Sequence, residues 1–230
     1  MKLKQFLLAV TMVFTAASAS AHALWIETNA SGKAGQAQDV KIFYGEYAEN
    51  ERDSVAKWYS DIKQLTLWLI APDGKKTKLD CTPGVLHLSA SFTPEMEGNY
   101  ILSISHDTKD FPGTMRYQFN TNASVVVGKS TPDTFKGNDI HVTATLQNVK
   151  VAIKAYLNGT PAANMQVEVV SPEGWRKTFV ADKNGELAFT PTWKGRYMLE
   201  VTDTEKKPGT LAGKNYESTW RCSTNSFVWK

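Results

Sequence analysis

Four histidines, two cysteines and one carboxylate-rich loop are the residues of this chain whose chemistry and spacing point beyond packing. His22 stands in Ala17-Ser18-Ala19-Ser20-Ala21-His22-Ala23-Leu24-Trp25-Ile26. The segment before it reads as an export signal: Lys2 and Lys4, an apolar run from Phe6 to Phe14, then small residues. Signal cleavage wants small residues at the last and third-last positions, and three registers meet that rule. Cutting after Ala21 leaves His22 first, so that its amine and imidazole chelate one metal ion. Cutting after Ala19 leaves Ser20-Ala21-His22, whose amine, two amides and imidazole suit square-planar Cu(II) or Ni(II). Cutting after Ala23 removes His22.

The other histidines are sorted by strand phase. His106 continues the inward series Tyr100, Leu102, Ile104 at the point where a strand enters a loop, and neighbouring Asp107 offers an oxygen ligand or a partner that orients the ring. His22, His106 and Asp107 are therefore the expected metal ligands. His87 and His141 fall on the outward phase of their strands, which makes both solvated sheet residues. The loop Gly45 to Asp53 carries four carboxylates, Glu46, Glu49, Glu51 and Asp53. It lacks the spacing of a calcium loop, and its expected role is that of a solvated turn.

Cys81 and Cys222 are the two cysteines. In an oxidising compartment their pairing is the default. It would close a loop worth roughly 4–5 kcal/mol in chain entropy, although the two positions lie in different halves of the chain. Hydrolase and nucleotide chemistry has no foothold: there is no Gly-x-Ser-x-Gly elbow, no His-Glu-x-x-His, no Gly-x-x-x-x-Gly-Lys-Ser/Thr loop and no Cys-x-x-Cys.

The elements that must position these residues are strands. Val, Ile, Thr, Tyr and Trp crowd into short runs broken by Gly, Pro, Asn and Asp, an all-β pattern. Strands are expected at Leu24–Ile26, Asp39–Tyr44 and Leu65–Ile70, the last apolar on both faces and hence central, with helical turns between Ser54 and Lys63. An internal repeat sets the architecture: Phe92-Thr93-Pro94 leading to Gly98-Asn99-Tyr100 returns as Phe189-Thr190-Pro191 leading to Gly195-Arg196-Tyr197. Each copy follows a Pro-acid-Gly turn, at Pro72-Asp73-Gly74 and Pro172-Glu173-Gly174. The expected fold is all-β, with two tandem immunoglobulin/transthyretin-like sandwiches. A signal peptide over 1–21 precedes a sandwich over 22–128, a linker over 129–139 and a second sandwich over 140–230. With the signal removed, the net charge of +3 loses Lys2 and Lys4 and becomes +1, which gives no electrostatic case for nucleic acid. The apolar run is far shorter than the ~20 residues of a membrane span, so the processed chain is expected without a transmembrane segment, in the periplasm.

At Ala21-His22-Ala23-Leu24-Trp25-Ile26-Glu27, Gly45-Glu46, Pro72-Asp73-Gly74, Gly98-Asn99-Tyr100 and the C-terminal glycines Gly209 and Gly213, the chain resembles a periplasmic family linked to nickel transport. Its C-terminal strand pattern resembles the transthyretin-like or carboxypeptidase-regulatory sandwich. The first resemblance implies capture of a transition metal, nickel or cobalt most often, or its delivery to an envelope transporter, and offers His22 as a ligand. The expected function is a non-enzymatic metal-binding protein, with copper also compatible with the ligand types. Two rivals stand beside it: a copper monooxygenase built on a terminal histidine, and a protein- or glycan-binding sandwich that uses tryptophans such as Trp25, Trp58, Trp175, Trp193 and Trp220.

Overall fold

The computed structural model describes residues 22–130, 135 and 137–230. The expected signal peptide, and residues 131–134 and 136 of the expected linker, lie outside the described residues. The strands are β1 (Ala23–Thr28), β2 (Ser31–Gly32), β3 (Gln38–Gly45), β4 (Leu67–Ile70), β5 (Lys76–Leu79), β6 (Thr82–Pro83), β7 (Leu88–Phe92), β8 (Gly98–Asp107), β9 (Met115–Val127) and β10 (Ile140–Leu146). They continue with β11 (Val151–Leu157), β12 (Thr160–Pro161), β13 (Gln166–Val170), β14 (Arg176–Val180), β15 (Glu186–Phe189), β16 (Gly195–Glu205), β17 (Gly209–Leu211), β18 (Lys214–Tyr216) and β19 (Ser218–Trp229). Three single 3-10 turns, Tyr47–Glu49, Val55–Lys57 and Ile62–Gln64, complete the secondary structure of the described residues. Among the described residues no helix is long and apolar enough to cross a membrane.

The fold is all-β, with sheets packed face to face as sandwiches. One long sheet, in the order β14-β13-β16-β19-β9-β8-β4-β5, runs through both halves of the chain. The sheet β1-β3-β7-β6 covers its N-terminal end, and β10-β11-β12, with β15 on β11, covers the other. Alternation fills each gap. Leu24, Ile42, Leu67, Leu102 and Val125 meet in one core, while Ile140, Ile153, Val167, Leu199 and Phe227 meet in the second. Trp25 and Phe43, on the other face of the β1–β3 pair, pack with Val170 and Met198 and join the halves.

The seam of the long sheet is a parallel pairing of β19 with β9, from Ser218↔Met115 to Asn225↔Asn122. It is polar, and cross-links tie it together, although Asn120 Oδ1, Asn122 Oδ1 and Ser223 Oγ are buried without a hydrogen-bond partner. The Asn120 amide donates to the Cys222 carbonyl (3.1 Å), Asn225 to the Asn122 carbonyl (2.9 Å), and the Thr224 hydroxyl to Leu24 O (2.6 Å). Buried polar groups cost stability unless so paired.

The repeat is real in three dimensions. Tyr100 Oη accepts from the amides of Glu95 and Met96 and donates to the Met96 carbonyl, while Tyr197 Oη accepts from the Trp193 amide and donates to its carbonyl, all between 3.0 and 3.2 Å. Both Pro-acid-Gly turns join antiparallel neighbours, β4 to β5 and β13 to β14, with Gly74 and Gly174 at φ +85° and +78°.

Several expectations need correction. The Leu65–Ile70 segment is not central: as β4 it lies next to the edge strand β5, with Leu67 and Leu69 buried and Trp68 half-exposed under the Lys76 ammonium, 4.4 Å from the ring. The helical turns expected between Ser54 and Lys63 are present, as two separate 3-10 turns, Val55–Lys57 and Ile62–Gln64. Cys81 and Cys222 are free thiols. Cys222 sits on β19, whereas Cys81 follows β5, four strands away in the same sheet; at ~4.8 Å per strand that is roughly 19 Å, beyond disulfide reach.

Candidate metal centre

His22 immediately precedes β1, and that strand fixes its position. Ala23 through Ile26 are buried, Ala23 pairs with Gly45, and the carbonyls of Leu24 and Ile26 accept from Thr224 and Ser226. The imidazole therefore lies against the β1–β3 pair, its ring centroid 5.3 Å from that of Tyr44.

The carboxylate loop then folds back onto it. Gly45 has φ +151°, and a Cβ there would stand 2.5 Å from the Glu51 carbonyl oxygen, so only glycine admits the return. The Glu46 and Glu51 amides each donate to the other residue's carbonyl (3.2 and 3.0 Å), Asn50 takes a left-handed conformation at φ +55°, and the Asp53 amide donates to Tyr44 O at 2.9 Å. Trp58 Nε1 donates to the Asp53 carbonyl at 3.1 Å. Arg52 points the other way: its guanidinium lies 5.1 Å from the Phe43 ring centroid and 5.7 Å from that of Trp25, and pairs with Glu27 at 3.4 Å.

With the loop so held, His22 Nε2 stands 3.5 Å from Asp53 Oδ2. His22, Glu51 and Asp53 each offer a ligand atom within 4.8 Å of the others, the group of three metal-capable side chains found among the described residues. Donors around a first-row ion, with bonds near 2.1 Å, lie about 3 Å apart when adjacent and about 4.2 Å apart when opposite, so a small closure of exposed Glu51 suffices. One imidazole nitrogen and two carboxylate oxygens are also the donor types such an ion takes. The residues fit.

The loop's other two carboxylates serve a different end. Glu46 and Glu49 reach Arg176 of β14 at 3.6 and 2.8 Å, and the same guanidinium holds Glu168 at 3.2 Å. The loop thus bridges the two halves while presenting Glu51 and Asp53 to His22. Beneath this bridge lies Glu200 of β16. Burial pushes its carboxyl up to about 8, and the charges of Glu46 and Glu168 add to the effect. The Cys222 thiol beside it is raised well above its ordinary value by burial and by Glu200.

His106 and Asp107 do not join His22 in this group. His106 keeps the inward phase expected of it, but its Nε2 donates to Asp61 Oδ1 at 3.2 Å, both side chains being largely buried. Burial alone would raise the Asp61 carboxyl; the Lys109 amide and His106, both hydrogen-bonded to it, bring it below its usual range. Asp107 is on the opposite face of β8, as alternation requires, and pairs with Arg116 at 3.7 Å. His141 is not solvated: it is 1% exposed, stacked on Tyr156 with centroids 4.5 Å apart and edge-on to Phe135. His87 lies 5.2 Å from the Phe43 ring. Sequence reasoning missed Glu51 and Asp53 as partners of His22. The available signal was Gly45 opening a loop whose carboxylates sit at its end.

A cavity of about 370 Å³ adjoins the group through the His22 ring, lined by Tyr44, Tyr59, Pro112, Met115, Tyr117, Phe119 and Trp220. Burial, then the nearby Asp53 charge, raises the Tyr44 phenol above its ordinary range, so it remains neutral. A larger open groove of about 590 Å³ on the C-terminal half, between Thr143 and Glu186, contains no histidine.

No curated protein matches the sequence. Among solved structures, a DUF4785 family protein from Legionella pneumophila is similar at 13% identity and a TM-score of 0.33, over 77% of this chain and 51% of that one, so the chain spans about half of that protein. A two-domain fibronectin type-III segment of chicken tenascin is similar at 11% identity and a TM-score of 0.27, over 86% and 95% of the two chains. A Salmonella alpha-2-macroglobulin is similar at 10% identity and a TM-score of 0.29, over 90% of this chain and 15% of that one. Residues 19–205 match a family model that spans His22, the carboxylate loop and both cores up to β16, and the chain belongs to that family, the Domain of unknown function (DUF4198).

Proposed function

We propose that this protein binds a transition-metal ion at His22, with Asp53 and Glu51 as its carboxylate partners, and that it does so as a carrier rather than an enzyme. The observation that carries the reading is the 3.5 Å approach of His22 Nε2 to Asp53 Oδ2 with Glu51 alongside. The ion, when bound, supplies the charge that the two carboxylates lack a cation to balance. Asp53 is tied at its amide and its carbonyl, so its carboxylate is held beside the ring as a preset ligand. The resulting set of nitrogen and oxygen atoms suits Ni(II), Co(II) or Cu(II). Periplasmic residence and delivery to an envelope transporter follow from the signal-like segment and from the resemblance to a nickel-transport-linked family. A monooxygenase reading would want a second histidine, and His22 has carboxylates beside it instead.

Isothermal titration of the exported protein with Ni(II) tests this. One ion per chain is expected, with binding lost in His22→Ala and weakened about 10–100-fold in Asp53→Asn. Binding unchanged in both variants would overturn the proposal.

A second reading, a binding module without metal, has one observation in its favour. Trp175 and Trp193 are exposed at 38% and 36%, with ring centroids 6.1 Å apart. Trp25 and Trp58, by contrast, are core residues.

A further inference from the structure

We infer that the metal reaches His22 as a complex with a small, neutral, planar heteroaromatic chelator, and that the adjoining cavity holds the chelator's ring. The inference rests on the metal-binding reading and names the form of its cargo. Three observations carry it.

His22, Glu51 and Asp53 supply three donors, whereas nickel and its neighbours take four to six, so positions on the ion remain for ligands that the chain does not provide. The cavity beside them, about 370 Å³, lies within the range of small-molecule sites and far above the ~30 Å³ of a water molecule. Its wall is a run of touching rings: His22 to Tyr44 (5.3 Å between centroids), Tyr44 to Phe119 (5.7 Å), Phe119 to Trp220 (5.8 Å), Trp220 to Tyr117 (5.9 Å) and Tyr117 to Tyr59 (6.0 Å).

Such a wall suits a flat ring, which stacks or meets ring edges, and gives a hydrated ion little. Charge narrows the class further. No Asp, Glu, Lys or Arg lines the cavity, and Asp53 and Glu51 together already match a divalent charge. An anionic chelator would leave the assembly negative in an apolar setting, whereas a neutral one leaves it balanced. His22 belongs to both the donor group and the cavity wall, so one side chain links ion and ring.

The test compares Ni(II) alone with the one-to-one Ni(II)–2,2′-bipyridine complex as probes, by isothermal titration and tryptophan fluorescence on the exported protein. The complex is expected to bind about tenfold more tightly than the bare ion. Trp220→Ala removes that gain and leaves bare Ni(II) affinity unchanged, while Trp220→Phe, which keeps a ring, retains it. Equal affinities in the wild type, a gain that survives Trp220→Ala, or bipyridine binding equally well without metal would each overturn the inference and leave the metal site standing. Failure of both probes to bind would overturn the metal reading itself, and the inference with it.

Discussion

The N- and C-terminal cores are built on one plan and finished differently. Each has a tyrosine whose hydroxyl closes the corner before a long central strand, Tyr100 in one and Tyr197 in the other, and each has a glycine turn ahead of it. In the C-terminal half the aromatic rings close on themselves: Tyr197 stacks on Phe227 at 5.2 Å, and Phe189 packs against both and against Phe179. In the N-terminal half Tyr44, Phe119, Trp220, Tyr117 and Tyr59 ring a cavity, and a histidine with two carboxylates stands beside it. The shared plan supplies stability, and the site lies where the N-terminal half departs from it.

The departure begins at Gly45, and the sharpest break of the comparison is made there. Gly45→Ala places a Cβ 2.5 Å from the Glu51 carbonyl and should cost about 1–3 kcal/mol of stability. It should also lower Ni(II) affinity more than Asp53→Asn does, since both carboxylates move; thermal melts and titration on one sample check this. Wild-type values for both would mean that the loop is not held as described.

A smaller effect tests the shared plan. Tyr100→Phe and Tyr197→Phe each remove a hydroxyl that closes a corner, and each should cost about 0.5–1.5 kcal/mol. Only Tyr100→Phe should touch metal affinity, and then weakly. A large loss from one variant and none from the other would show that the corners are not equivalent.

A further break concerns Glu200, under the bridge between the halves, and is read as a slope against pH. In the unfolded chain it ionises near 4.5, while burial, with Glu46 and Glu168 nearby, holds it protonated in the fold up to about 8. Its contribution to stability is therefore full below pH 4.5 and is lost as pH rises through 8. Glu200→Gln keeps the neutral form and should flatten the decline in melting temperature between pH 5 and 8. Parallel curves for the two proteins would contradict the assignment.

Much of this was legible in the sequence, for reasons tied to range. The strand at Asp39–Tyr44, the inward phase of His106 and the repeated corners come from alternation and turn residues a few positions apart. The features that escaped depend on contacts between distant segments. The parallel match of β19 to β9 spans about a hundred residues and leaves no local pattern. His141 obeys the outward phase but is covered by Phe135 and Tyr156. The Glu51–Asp53 segment reads as a solvated acidic turn until Gly45, the stacked Arg52 and Trp58 fold it back on His22. His106 was rightly placed at a strand end, yet Asp61 from a 3-10 segment occupies it.

Anomalous diffraction at the nickel edge from crystals loaded with Ni(II) tests the central claim most directly. The account predicts one peak about 2.1 Å from a His22 nitrogen, with Asp53 and Glu51 turned toward it. A peak at His106 and Asp61 instead, or none near His22, would contradict it.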